Sequence, residues 1–255
     1  MSAIIVIPAR LGSTRLKKKP LSLLNNKPLI LHVAERARDA NLAPVLIAVD
    51  SKEVKSVVEK AGFDAVLTSP DLPSGSDRVW AALSAYDPAE RFDTIINLQG
   101  DLPIFEAKAL KPLCHLSPTF DIQTLAVPLL KEECNDANTV KVVLKTDVKN
   151  ANAREALPVA DFRRQIDCGH ALERHWHHIG VYAYGRHVLK RFVASLPASR
   201  EVAERLEQLR AFELGLRLGV YPLPPSVWLS VDTEDDLEKA RALLKNKGKQ
   251  GRKAS

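Results

Sequence analysis

The sequence predicts an α/β fold whose mostly parallel sheet is flanked by helices and interrupted by an irregular middle. Two observations predict it. Short apolar runs such as Ile4–Ile7, Val45–Val49 and Thr94–Leu98 have the continuous hydrophobicity of strands buried on both faces. Stretches of helical period separate them, giving a βαβαβ alternation that calls for parallel pairing through crossover helices.

The elements follow in order. The first strand ends at Pro8, which cannot donate to a ladder. A helix over 28–40 places Leu29, Val33, Ala37 and Ala40 near one face. The strand 45–49 ends at Asp50-Ser51, and a helix over 52–61 stops at Gly62. A short strand at 65–67 precedes a helix over 76–86, introduced by Ser74-Gly75. The strand 94–98 runs into Gln99-Gly100-Asp101. In the middle, 122–127, 140–144 and 176–184 read as strands, while 150–169 is polar and carries no clear period. Helices over 186–196 and 201–215, a strand at 218–221 and a helix over 233–245 complete the chain. Asp232 or Thr233 caps that last helix, with Asp235 and Asp236 in its first turn. No internal repeat is found.

Composition narrows the class. At 255 residues, 45% hydrophobic and 27% charged, the chain has the make-up of a soluble globular protein with a sizeable core. The net charge of +6 is uneven, because Lys245, Lys247, Lys249, Arg252 and Lys253 end the chain without an acid among them. Without these five the body is close to neutral, which argues for a frayed basic terminus and against a nucleic-acid surface. Cys114, Cys134 and Cys168 match no metal spacing, and so sparse a set suits a reducing compartment. No apolar run approaches the roughly 18 residues of a membrane span, and no charged n-region of a signal peptide precedes Ile4.

The chemistry concentrates at strand ends. After the first strand, Arg10, Arg15, Lys17, Lys18 and Lys19 fall in one loop with no acid. Five cations at the carboxyl edge of an α/β sheet call for a polyanion, and a nucleoside triphosphate is the natural candidate. Neither glycine-rich phosphate fingerprint occurs, so side-chain cations must take the place of a glycine cradle. Asp101, after Gly100 at the end of another strand, sits where a carboxylate would hold Mg²⁺ against phosphates, or where it would simply cap a turn. On one strand His175 and His177 share a face and His178 points the other way, which makes the three poor co-ligands for one metal.

Several motifs then fall in one order. Pro8-Ala9-Arg10, Ser13-Thr14-Arg15-Leu16 and Lys19-Pro20-Leu21 resemble the nucleotide loop of the sugar nucleotidyltransferases, above all the 3-deoxy-manno-octulosonate (Kdo) cytidylyltransferases. Ser74-Gly75-Ser76-Asp77-Arg78, Leu125-Ala126-Val127-Pro128, Asn138 to Val143, His178 to Tyr184, Leu206 to Arg210 and Val231-Asp232-Thr233 resemble further motifs of that family. The resemblance implies a Rossmann-like nucleotidyltransferase domain over 1–245, a disordered tail over 246–255, and an irregular middle that supplies a sugar-side lid and dimer contacts. It implies a cytoplasmic homodimer that transfers CMP from CTP to Kdo for lipopolysaccharide synthesis and releases pyrophosphate, with neither nucleic acid nor membrane as partner. Pro8, Ala9, Arg10, Arg15, Lys19, Ser74 and Gly75 would bind the nucleotide, with Arg10 and Lys19 on the triphosphate. Asp101 and Asp232 would hold Mg²⁺. Arg78, Gln99, Arg154, His178, Tyr182, Glu207 and Gln208 would line the sugar pocket, and Arg78 or Arg154 would pair with the sugar carboxylate.

The chain also departs from the family pattern. Lys17-Lys18 stands where Pro-Gly is usual, which removes a residue permissive for positive φ. Leu102 replaces a Glu, Pro73 precedes Ser-Gly, and Ala153-Arg154 replaces Ser-Arg. Two rival readings follow: a cytidylyltransferase for another acidic sugar, such as an amino-Kdo or a sialic acid, or a non-catalytic nucleotide-binding descendant.

Overall fold

The computed structural model describes residues 2–12, 15–146, 155–167 and 172–251. In chain order the elements are β1 (Ala3–Ala9), the two-residue β2 (Leu23–Leu24) and β3 (Lys27–Pro28), α1 (Leu29–Asp39), β4 (Val45–Val49), α2 (Lys52–Lys60), β5 (Asp64–Leu67), α3 (Gly75–Tyr86), β6 (Thr94–Leu98), β7 (Ile122–Pro128), β8 (Lys141–Leu144), β9 (Leu157–Arg163), β10 (His175–Gly185), α4 (Arg186–Val193), α5 (Ser199–Glu204), α6 (Arg210–Glu213), β11 (Leu218–Pro222) and α7 (Glu234–Gly251). The chain divides into two compact units, each drawn from separate segments. The first takes Ile4–Ala89, Leu98–Lys108 and Val227–Ser255, and the second takes Met1–Ala3, Glu90–Asn97 and Ala109–Ser226.

The first unit carries the parallel sheet. β4 pairs in parallel with β1 and with β5, in registers that set Ile7 opposite Ile47 and Ala48 opposite Val66. Ile4 to Ile7 and Leu46 to Val49 are fully buried, as continuous apolar strands covered on both faces should be. Helices α1 and α2 make the crossovers. Ser51 caps α2 by accepting from the Glu53 N–H, and Gly62 follows it at φ 79°. β1 does not end at Pro8 but continues to Ala9, with Pro8 opposite Ala48. One missing N–H removes one rung of a ladder without ending the strand.

The second unit is mainly antiparallel. β7 pairs antiparallel with β10 and parallel with β11; β9 pairs antiparallel with β11 and β8, and β8 also pairs with β10. β10 shifts register between Ile179 and Tyr182, a bulge that redirects the side chains around it. β9 lies inside the stretch in which the sequence shows no period. The single helix expected over 201–215 is broken: α5 stops where Arg205 turns left-handed at φ 53°, a 3₁₀ turn covers Glu207–Leu209, and α6 follows. The last helix runs to Gly251, past the expected end at Lys245. Cys114 is a free, buried thiol, whereas Cys134 is disulfide-bonded, against the expectation from so sparse a set.

Candidate active site

In the first unit, the loop that follows β1 ends in a 3₁₀ turn, Lys19–Leu21, anchored by buried Pro20. This turn presents the Lys19 ammonium. Two carboxylates meet it. Asp101 lies just past the end of β6, where Gly100 is required: a Cβ on Gly100 would stand 2.5 Å from the Pro8 carbonyl oxygen. Asp232 comes from the other end of the chain. The segment carrying it is tied down by the Val231 N–H donating to the Asp101 carbonyl at 2.8 Å and by an antiparallel bridge between Ile104 and Leu229. Phe105 stacks on Trp228 beside that bridge.

Asp232 is not the helix cap. Thr233 Oγ1 accepts from the Asp236 N–H, and Asp236 Oδ2 accepts in return from the Thr233 N–H and hydroxyl. The cap is thus complete one residue later, and the Asp232 carboxylate turns elsewhere. Lys19 Nζ lies 2.6 Å from Asp101 Oδ2 and 2.9 Å from Asp232 Oδ1, and Arg15 Nη2 reaches that same Asp232 oxygen at 3.1 Å. Burial alone would lower the Lys19 pKa, but the charges and hydrogen bonds of Asp101 and Asp232 outweigh it and hold the ammonium above its ordinary value. Two carboxylate oxygens already converge on one point, and an all-oxygen donor pair is the chemistry Mg²⁺ takes. Among the described residues no group of three or more His, Cys, Asp or Glu gathers as a metal cluster.

Beside this cluster, the N-terminus of α3 is capped by Ser74, whose Oγ accepts from the Asp77 N–H and donates to the Asp77 carboxylate. A Cβ placed on Gly75 would have Pro8 and Gln99 as its nearest neighbours, at 3.8 and 3.9 Å. Pro8, Gly75 and Gln99 are therefore one neighbourhood. Arg10 is exposed, and its charge is felt at Arg78.

Arg78 is only 3% exposed and is spent inside the protein. Its Nη1 donates to Thr68 Oγ1 and the Ser69 carbonyl, and its Nη2 lies 3.7 Å from Asp50 Oδ2. Burial lowers its pKa, Asp50 opposes that, and Arg10 adds to it. In the structure the guanidinium expected at the sugar holds Asp50, which in turn accepts from the Leu11 N–H at 2.8 Å and anchors the cationic loop. In the sequence Asp50 reads only as a strand terminator, which hides this role. Leu102, at the position of the expected Glu, is buried.

The remaining sugar candidates belong to the second unit. His178 Nε2 lies 3.0 Å from Thr124 Oγ1, which also lies 2.7 Å from the Val181 carbonyl and 3.1 Å from that of Ile179. Carbonyls only accept, so the hydroxyl proton goes to one of them and Nε2 must be the N–H donor to Thr124. Burial, aided by His177, lowers the His178 pKa to about 3, so the ring is neutral and Nδ1 carries the lone pair. The Tyr182 ring is 5.4 Å from that of His178. Burial, then Tyr184 and Glu207, push the Tyr182 hydroxyl well above its usual range. Glu207 and buried Gln208 stand on the 3₁₀ turn, in place of the expected helix. That turn is braced by Arg210, whose Nη2 and Nε both bind Glu201, at 2.5 and 2.7 Å. Arg154 lies outside the described residues. His177 Nδ1 pairs with Glu133 Oε1 at 2.9 Å.

A cation-bridged carboxylate pair beside a capped helix N-terminus, at the end of parallel strands, is the equipment of a nucleotidyltransferase. Residues 4–218 match the cytidylyltransferase family model. A 3-deoxy-manno-octulosonate cytidylyltransferase of Rhodospirillum centenum is 44% identical over 246 residues, 94% of this chain and 93% of that protein. One of Mesorhizobium japonicum is 43% identical over 251 residues, 96% of this chain and all of that protein. Among solved structures, a CMP:2-keto-3-deoxy-manno-octonic acid synthetase complexed with CTP superposes with a TM-score of 0.83 at 34% identity, covering 97% of this chain and all of that one. This chain belongs to the 3-deoxy-manno-octulosonate cytidylyltransferase family.

Proposed function

We propose that the protein transfers CMP from CTP to the anomeric hydroxyl of Kdo, forming CMP-Kdo and pyrophosphate for lipopolysaccharide synthesis. The observation that carries this reading is the bridge from Lys19 to Asp101 and Asp232, set in a chain whose relatives bear that name along their full length. In the first unit, Lys19, Arg15 and Arg10 hold the triphosphate, and Ser74-Gly75 at the start of α3 offers N–H donors and a favourable dipole to it. The sugar hydroxyl attacks the α-phosphorus in line; its bond to phosphorus forms as the bond to pyrophosphate breaks, and its proton leaves to solvent. Charge builds on phosphate oxygens, so fixed cations carry most of the catalysis. Asp101 and Asp232 would hold Mg²⁺, which when bound neutralises that charge as a Lewis acid.

In the second unit, His178 Nδ1 accepts from a sugar hydroxyl, Glu207 accepts from others, and Gln208 and Tyr182 complete the recognition. Gln99 and Arg154 are assigned to the sugar as well, Arg154 to its carboxylate. The same reading makes the protein a cytoplasmic homodimer; no helix among the described residues is long and apolar enough to cross a membrane. A pyrophosphate-release assay with CTP and a panel of acidic sugars tests it. Kdo is expected to give the highest kcat/KM, and faster turnover of a sialic acid or amino-Kdo, or no turnover at all, would overturn the assignment.

A further inference from the structure

The Asp101–Asp232 pair is already electrically balanced. Lys19 Nζ stands between the two carboxylates at 2.6 and 2.9 Å, and Arg15 adds a second positive charge at 3.1 Å from Asp232. The Lys19 side chain is 14% exposed and extends from a turn that carries buried Pro20. A divalent cation bound to the same two oxygens would sit about 2.1 Å from each. That point lies within roughly 4 Å of the present Nζ, where a +2 and a +1 charge repel strongly and no water separates them. The ammonium and the cation compete for the same two oxygens.

We infer that Lys19 is a built-in competitor for the metal. In the nucleotide-free protein its ammonium keeps the place between the carboxylates and makes divalent binding weak. A triphosphate offers Lys19 a more highly charged partner. Once the ammonium swings to phosphate oxygens, both carboxylates are free to take the cation that accompanies the nucleotide. Metal and CTP therefore bind with positive coupling, and the coupling is reciprocal. Lys19 thereby acquires a second role beyond gripping phosphate: it sets the order in which the site fills. The inference rests on the proposed assignment of Asp101 and Asp232 as the metal pair.

The test uses the full chain, Mn²⁺ alone and no nucleotide, with free Mn²⁺ read by electron paramagnetic resonance. Lys19→Met removes the competitor and should bind Mn²⁺ at least tenfold more tightly than the wild type. Lys19→Gln, which retains a polar group to hydrogen-bond the carboxylates, is measured in parallel to guard against misfolding, and circular dichroism verifies each fold. Adding Asp101→Asn to either variant should abolish the gain. If the Lys19 variants bind Mn²⁺ no more tightly than the wild type while Asp101→Asn still weakens binding, the competitor role is overturned and the metal pair stands. If Asp101→Asn has no effect in any background, the metal assignment falls and takes this inference with it.

Discussion

The Lys18 ammonium meets both carboxylate oxygens of Glu53, at 3.0 and 2.9 Å, from a backbone held in the left-handed region at φ 52° and ψ 36°. The chain thus keeps a turn that suits glycine while placing a lysine in it. The left-handed conformation costs about 1–2 kcal/mol for a residue with a Cβ. The half-exposed ion pair returns at most about 1 kcal/mol, and glycine would forfeit about as much again in unfolded-state entropy. These terms nearly cancel. Lys18→Gly is expected to shift stability by less than about 1 kcal/mol in urea titration and to leave turnover intact, whereas Lys18→Val, β-branched at positive φ, should lose more than that. Equal behaviour of the two variants would contradict the strain.

Asp101→Asn and Asp232→Asn each keep the side-chain shape and remove a charge from the pair that Lys19 bridges. Turnover in either variant should fall by at least about 10²-fold, the scale of a lost electrostatic contact to a transition state. Pyrophosphate release with saturating CTP measures it, and near-normal turnover in both would remove these carboxylates from the chemistry.

Arg164 ties together three carbonyls. Its Nε donates to Glu204, its Nη1 to Ala137 and its Nη2 to Arg205, all within 2.9 Å. Glu204 and Arg205 lead directly into the turn bearing Glu207 and Gln208. Glu207→Ala should raise the KM for Kdo by about tenfold or more, because it leaves sugar hydroxyls unpaired. Arg164→Lys keeps the charge but loses the fork, and should raise that KM several-fold while the KM for CTP stays put. A variant that only melts earlier, with both KM values unchanged, would reduce Arg164 to a brace.

His178 gives a stability profile with a definite sign. In the unfolded chain the ring takes a proton near pH 6.5, but in the folded protein only near 3. Between those values the unfolded state binds the extra proton, so stability declines as pH falls below about 6.5, by up to about 1.4 kcal/mol per pH unit from this one group. Urea titrations at pH 7, 6 and 5 should show a shallower decline in His178→Gln than in the wild type. Parallel declines would mean the buried ring does not titrate as described.

The strands 45–49 and 94–98 are legible to the residue because each is a continuous apolar run. β9 escaped because Pro158, Asp161 and Arg163 interrupt it, and its pairing partners β8 and β11, not its own pattern, make it a strand. The break at Arg205 escaped because no Gly or Pro marks it. Of the site, the cationic loop and both aspartates could be found from motif order. That Thr233 caps α7 and so releases Asp232, and that Arg78 is spent on Asp50 and Thr68, depend on side-chain geometry that residue spacing does not encode.

Lys19 and Asp232 are 213 positions apart in the chain, and this separation sets when the bridge between them can form. A nascent chain that has passed Asp101 holds one carboxylate and the whole cationic loop, yet it cannot form the Asp232 bridge or the Val231 tether until nearly all of it has left the ribosome. Closing so long a loop is also among the slower contacts of folding. A fragment lacking its last few dozen residues therefore leaves the Lys19 ammonium with one acidic partner instead of two.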